Sequence, residues 1–289
     1  MTIGGTPKPS TVGGVIRGLA LSCHPIPTLA VTAISAGLAA LAGLSPARLV
    51  LLVAAVFAGQ LSIGWSNDAI DAARDRVSER TDKPVASGAV SPRLVAVAAG
   101  VALLSAVVLS LALGWLPGLA SLTVVACGWL YNLGLKATVF SFVPYAIAFG
   151  TLPAIATLAL PEPQWPATWA VVAGALFGVS AHLANVLPDL DDDVQTGVRG
   201  LPHRLGAKAT GVACPVLLGA AAGTILFGAA PAAGPEVWRW IAAAVLLAVV
   251  GVGVVIGVAR PAGRGLFLVV IAVALSAIVL FAVSGQSLS

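Results

Sequence analysis

Residues 48–75 read RLVLLVAAVFAGQLSIGWSNDAIDAARD. The run 48–65 is long and apolar enough to cross a bilayer's hydrocarbon core as a helix. Just beyond it stand Asn67, Asp71 and Asp75 at four-residue intervals. In a helix such positions share one face, so a stripe of oxygen-bearing side chains is expected where the apolar helix emerges. The pattern recurs as Asn185-Val186-Leu187-Pro188-Asp189-Leu190-Asp191-Asp192-Asp193. Adding 118 to positions 67, 71 and 75 gives 185, 189 and 193, again Asn, Asp and Asp.

The rest of the chain supports a membrane reading. Of 289 residues, 59% are hydrophobic and 9% charged, where a soluble domain carries about 25% charged residues. Disorder does not fit such an apolar excess, and three cysteines exclude a disulfide scaffold. Cys23, Cys127 and Cys214 read as packed free thiols. Apolar runs divided by polar or Pro/Gly breaks give nine expected spans: 24–43, 48–65, 93–113, 117–134, 139–159, 166–187, 209–230, 237–257 and 265–285. Residues 1–15 read as a flexible tail and 16–289 as one domain built of two pseudo-repeats, with motifs at 67–75 and 185–193. Four spans separate the motifs, so both return to the same side.

Nine spans also segregate charge. All basic residues except Arg48 and Arg239 fall on one side, which the positive-inside rule makes cytoplasmic. The N-terminus and both motifs belong to that side and the C-terminus to the other, in the plasma (inner) membrane. The net charge of +4 is then a topology signal and not a nucleic-acid footprint. Trp115, Trp165, Trp169, Trp238 and Trp240 fall near the outer boundary as an interfacial belt.

Nine of eleven carboxylates sit in the two connections that hold the motifs, around 67–82 and 185–193. Carboxylates crowded at a membrane face repel one another and are costly to desolvate. A hard divalent cation relieves both, and Mg²⁺ leaves positions for water and phosphate oxygens. No His/Cys spacing suggests zinc. Solvated loop charge is the alternative, but two copies with identical spacing argue against it. Arg74, Arg76, Arg80 and Lys83 follow the first motif, Arg199, Arg204 and Lys208 the second, and Lys136 lies between. Metal flanked by these cations suits a diphosphate, and an apolar cavity beside it suits a hydrocarbon tail.

Asn67-Asp68-x-x-Asp71-x-x-x-Asp75 and Asp189-x-x-x-Asp193 resemble the two aspartate-rich motifs of the UbiA superfamily of intramembrane prenyltransferases. Lys83-Pro84-Val85-Ala86-Ser87-Gly88, Tyr131 to Lys136 and Gly200-Leu201-Pro202-His203-Arg204-Leu205-Gly206 agree with it in order. Lys83 stands where Arg is commoner, and Gly200 and His203 differ from the usual Thr and Val. The resemblance implies an all-α bundle of nine transmembrane helices around a central cavity with a cytoplasmic cap, working on a prenyl diphosphate. Asn67, Asp71, Asp75, Asn185, Asp189 and Asp193 are the expected Mg²⁺ ligands, with two ions bridging the diphosphate. Lys136 and Arg204, with Arg74 or Arg199, are expected to stabilise the departing pyrophosphate, and Tyr131 to hydrogen-bond it. His182 is expected to face the cavity. Asp68 is open between metal, proton acceptor and helix-end roles.

The expected activity is transfer of the prenyl group, through an allylic cation, to a small aromatic or lipid-precursor acceptor. A terpene cyclase that uses the same donor without an acceptor is the near alternative. An ion-coupled transporter is the remote one, disfavoured because the acidic stripes lie at one face and not midway across.

Overall fold

The computed structural model describes residues 11–77, 83–228, 237–259, 265–284 and 288. Eleven α-helices account for most of them: α1 Val12–Ser22, α2 Pro25–Leu41, α3 Pro46–Val77, α4 Pro92–Ala112, α5 Trp115–Leu133, α6 Val143–Thr157, α7 Thr168–Val186, α8 Leu190–Gln195, α9 Leu201–Gly228, α10 Val237–Ala259 and α11 Gly265–Ser284. Each of the nine apolar segments read from the sequence coincides with one of them. Five helices (α3, α4, α5, the α7–α8 run and α9) are individually long and apolar enough to cross a membrane. A sixth crossing follows if α1 and α2, bent by 60°, count as one span. Helix α6 has only 15 residues. The chain is thus an all-helical, multi-pass membrane protein.

Local chemistry sets the helix ends. Ser91 caps α4, its Oγ accepting from the Leu94 amide at 3.2 Å, with Pro92 in the first turn. Thr11 caps α1 in the same way, so helix starts at Val12, inside the stretch expected as tail; residues 1–10 lie outside the described chain. Helix α9 starts at Leu201 but breaks at Gly206, which adopts φ 78° and resets the chain before the apolar run.

Helices α2, α3, α5, α6, α7 and α11 face one another around a cavity, while α4 packs outside on α3 and α10 outside on α9. On α4, Val95, Ala99, Ala102 and Ala106 are buried and Val97, Val101, Leu104 and Val108 are at least 60% exposed. An outward face made of valine and leucine is stable against lipid, not water. Trp115, Trp165 and Trp240 are exposed as an interfacial belt requires, but Trp169 is not one of them: half-buried on α7, it lines the cavity.

Candidate active site

Asp68, Asp71 and Asp75 end α3 with only 2–4% of their surface exposed. Three buried carboxylates at one helix end demand counter-charge, and it arrives from separate connections. Lys136, on a 3₁₀ turn over Leu135–Ala137 that Gly134 opens with φ 154°, donates Nζ to both Asp71 oxygens at 2.6 Å. Arg74 donates Nη2 to Asp71 Oδ2 at 2.9 Å. Lys83, from the loop before α4, sets Nζ 2.9 Å from Asp75 Oδ2 and 3.3 Å from Asp68 Oδ1. Arg74 then spans the two motifs, with Nε 3.9 Å from Asp75 Oδ1 and Nη1 4.0 Å from Asp193 Oδ1. The two acidic stripes stand at one end of the bundle.

The second stripe departs from the expected geometry. Pro188 cannot donate to the ladder, so α7 stops at Val186 and a 3₁₀ turn, Leu187–Asp189, precedes α8. Asn185 therefore looks out of the last turn of α7 into the cavity, Asp189 closes the 3₁₀ turn, and Asp193 sits on α8 with 19% of its side chain exposed. Asn67 lines the cavity too, and its Nδ2 donates to Asn132 Oδ1 at 3.1 Å. Buried Asn132 donates its own Nδ2 to Ile63 O and Ser66 Oγ, both at 2.9 Å. That bond engages the Asn67 nitrogen and leaves Oδ1 as the acceptor end of its amide.

Burial lowers the Lys136 pKa below the usual lysine range, assisted by the nearby Arg74 and Lys83 charges, even though Asp71 pulls the other way. Burial presses on Lys83 as well, but the Asp68 and Asp75 carboxylates outweigh it and hold its pKa above the usual value.

One expectation is corrected. His182 does not line the cavity: it is 1% exposed behind Tyr131 and Tyr145, with Nε2 3.0 Å from Ser141 Oγ. That hydroxyl also accepts from the Leu201 amide at 2.9 Å, so His182 braces the turn after α5 against the start of α9. Arg199 and Arg204 are exposed, and Arg204 Nε donates to Arg199 O at 3.4 Å; neither is among the cations described on the carboxylates. Lys83, expected only among the cations that flank the first motif, sits on the acidic stripe itself, and His24 joins it there. Lys83 follows the motif in sequence, a usable signal, whereas nothing local places His24 Nε2 3.0 Å from Asp68. Arg80 and Asp82 lie outside the described residues. Tyr131 lines the cavity as expected, set edge-on to Tyr145 with ring centres 5.2 Å apart.

Behind the charges lies a cavity of about 290 Å³. It runs from Asn67, Tyr131, Asn132 and Asn185 to Leu41, Trp169 and Leu288. Along α2 it is lined from His24 to Leu41, roughly 25 Å at 1.5 Å rise per residue. Among the described residues no three His, Cys, Asp or Glu side chains form a closed metal site, since cationic side chains stand among the carboxylates.

A charged cluster over an apolar shaft is chemically suited to a molecule with an anionic head and a greasy tail. The chain matches the UbiA prenyltransferase family over residues 28–264 and belongs to it. Solved structures agree in fold. A UbiA homologue from Archaeoglobus fulgidus, bound to GPP and Mg²⁺, superposes with a TM-score of 0.70 at 15% identity, covering 93% of this chain and 98% of that one. An apo UbiA homologue from Aeropyrum pernix K1 gives 0.67 at 20% identity, covering 88% and 97%. A digeranylgeranylglyceryl phosphate synthase gives 0.63 at 16%, covering 93% and 96%. Comparison with curated protein sequences gives no match.

Proposed function

We propose that the protein transfers a prenyl group from an allylic prenyl diphosphate to a small acceptor, with divalent metal at the acidic stripes. The observation that carries this reading is the two-stripe cluster, bridged by Arg74, over an apolar shaft deep enough for an isoprenoid tail. Family relatives of the same fold bind GPP or DMAPP with Mg²⁺.

The donor set fits such a metal. It consists of carboxylate and amide oxygens, the ligands of a hard cation, and it supplies more negative charge than Lys136, Lys83 and Arg74 can neutralise. In this reading Asn67, Asp71, Asp75, Asn185, Asp189 and Asp193 would hold the metal, as two ions. Bound Mg²⁺ would supply Lewis-acid stabilisation of the leaving pyrophosphate.

The protein's own groups do the rest. Lys136, Lys83 and Arg74, whose donors stand among Asp71, Asp75 and Asp68, would also serve the diphosphate oxygens, and exposed Arg199 and Arg204 extend the positive rim. The bond from the allylic carbon to the diphosphate oxygen breaks with its electron pair leaving on oxygen. Cations already aligned on the bound diphosphate in a partly dry site stabilise that charge as it develops. The apolar wall of α2, α6 and α7 holds the tail and excludes water from the allylic cation. The motif end faces the cytoplasm of the plasma (inner) membrane, nine helices cross, and 16–289 form one domain.

Purified protein with Mg²⁺ and allylic diphosphates of several lengths tests this. Metal-dependent pyrophosphate release is expected, lost in Asp71→Ala and Asp189→Ala while helical content and melting are retained. Full release in either variant removes that residue from the site, and no release from wild-type protein with any donor overturns the reading.

A further inference from the structure

The break between α1 and α2 is two residues long, and the second, His24, adopts φ 54° and ψ 69°. A non-glycine residue there, before a proline, sits in a costly conformation that the surroundings must impose. They do. Trp65 Nε1 donates to Leu19 O at 2.9 Å and Thr28 Oγ1 to Cys23 O at 2.7 Å. Gly64 lies so close beneath the corner that a Cβ on it would collide with the Cys23 carbonyl oxygen. The strain aims one side chain: His24 Nε2 reaches Oδ1 of Asp68, which is 2% exposed. With Nε2 turned to the Asp68 carboxylate, Nδ1 is the ring nitrogen left to meet a proton donor. A carboxylate fixing an imidazole tautomer makes the other nitrogen a proton acceptor.

His24 and Asn67 both line the cavity. The described wall includes Gln60, Thr28 and two tyrosines but no lysine, arginine, aspartate or glutamate. A carboxylate or phosphate seated there would be desolvated without a counter-ion, because the cations at the mouth are committed to the donor and the acidic stripes.

We propose that the acceptor is an uncharged alcohol or phenol, and that His24, oriented by Asp68, takes its hydroxyl proton during transfer. This rests on the prenyltransferase reading. The hydroxyl oxygen uses a lone pair to form the bond to the allylic carbon. The carbon–diphosphate bond breaks with its pair on the departing oxygen, and the hydroxyl proton passes to Nδ1. His24 is thus a catalytic residue and Asp68 a positioning one.

The test incubates purified protein with Mg²⁺ and geranyl diphosphate, with 1-naphthol or a fatty alcohol against 4-hydroxybenzoate or glycerol phosphate. Pyrophosphate and prenylated product are measured separately. Wild type is expected to prenylate the neutral acceptors. His24→Asn, which tolerates the left-handed backbone, is expected to lose about a hundredfold or more in product while pyrophosphate release changes only a few-fold. His24→Gly is expected to regain product with added imidazole. Asp68→Asn is expected to lower kcat for transfer with little change in acceptor KM. Faster transfer to the anionic acceptors overturns the proposal, as does undiminished product from His24→Asn. Equal loss of both readouts in that variant places His24 on the donor and overturns it too. Cyclic hydrocarbon as the sole product overturns it by removing the acceptor. Absence of any pyrophosphate release from wild type is a different failure, that of the underlying prenyltransferase reading.

Discussion

Arg74 Nη1 stands 4.0 Å from Asp193 Oδ1, while Nη2 of the same guanidinium donates to Asp71 at 2.9 Å. One planar cation therefore joins the two acidic repeats. Carboxylates from both repeats cannot approach without positive charge between them, and Arg, with five donors in a rigid fork, can serve several oxygens at once. The protein holds the stripes together by its own side chains, in the arrangement that an incoming metal and diphosphate must rearrange.

That arrangement makes metal and donor binding mutually dependent. Lys136, Lys83 and Arg74 already neutralise much of the charge on Asp68, Asp71 and Asp75, so Mg²⁺ alone must compete with three tethered cations. A diphosphate gives those cations new partners and frees the carboxylates. Mg²⁺ affinity measured by calorimetry is expected to rise about tenfold or more with a non-hydrolysable donor analogue, and the analogue's affinity to rise by the same factor with Mg²⁺. Equal Mg²⁺ affinity with and without the analogue contradicts this.

Lys136→Met keeps the length of the side chain and removes its charge. Asp71 retains Arg74 as a partner, so the fold is expected to survive, with melting in detergent close to wild type. Pyrophosphate release should fall about a hundredfold, the usual cost of deleting one preorganised donor to a developing anion. A change confined to donor KM would assign Lys136 to binding alone.

Gly200 stands where Thr is usual in this family, and the structure shows why this chain cannot carry it. A Cβ at that position would meet Lys136 O at 2.6 Å and Ser141 Oγ at 2.8 Å. Gly200→Ala must push the segment before α9 away from the turn that presents Lys136, and overpacking of this kind costs about 1–3 kcal/mol. Lower melting temperature together with reduced turnover is expected. Wild-type values for both would show that the turn yields freely.

Local spacing was the legible part of the chain. The apolar segments, the repeat and the identity of the acidic positions follow from periods of a few residues, which a sequence displays directly. Pairings across the bundle do not. His24 meets Asp68 only because α1 and α2 turn sharply at a strained corner, and Lys83 reaches Asp68 and Asp75 only because its loop folds back over α3. The reverse error has the same origin. His182 lies one turn before Asn185, and spacing alone aims it at the cavity, yet Tyr131 and Tyr145 intervene and Ser141 engages its Nε2. Arg204 shares a sequence neighbourhood with Asp193, but the chain turns at Gly197, which has φ 84°, before α9 begins, and Arg204 remains exposed.

The depth of the shaft should set which donors are accepted. Ala173, on the buried face of α7, is 3% exposed and lines the cavity between Asn185 at the charged mouth and Trp169 at the far end. Ala173→Phe places a ring across the path of the tail without touching the carboxylates or their cations. Pyrophosphate release from the longest donors is expected to fall at least tenfold, while release from a five-carbon donor stays within a few-fold of wild type. A uniform loss across donor lengths would instead signal overpacking of α7. Ala173→Val, the smaller intrusion, separates these outcomes: a shaft that measures length should shift its cutoff by less than with Phe, at unchanged turnover of the shortest donor.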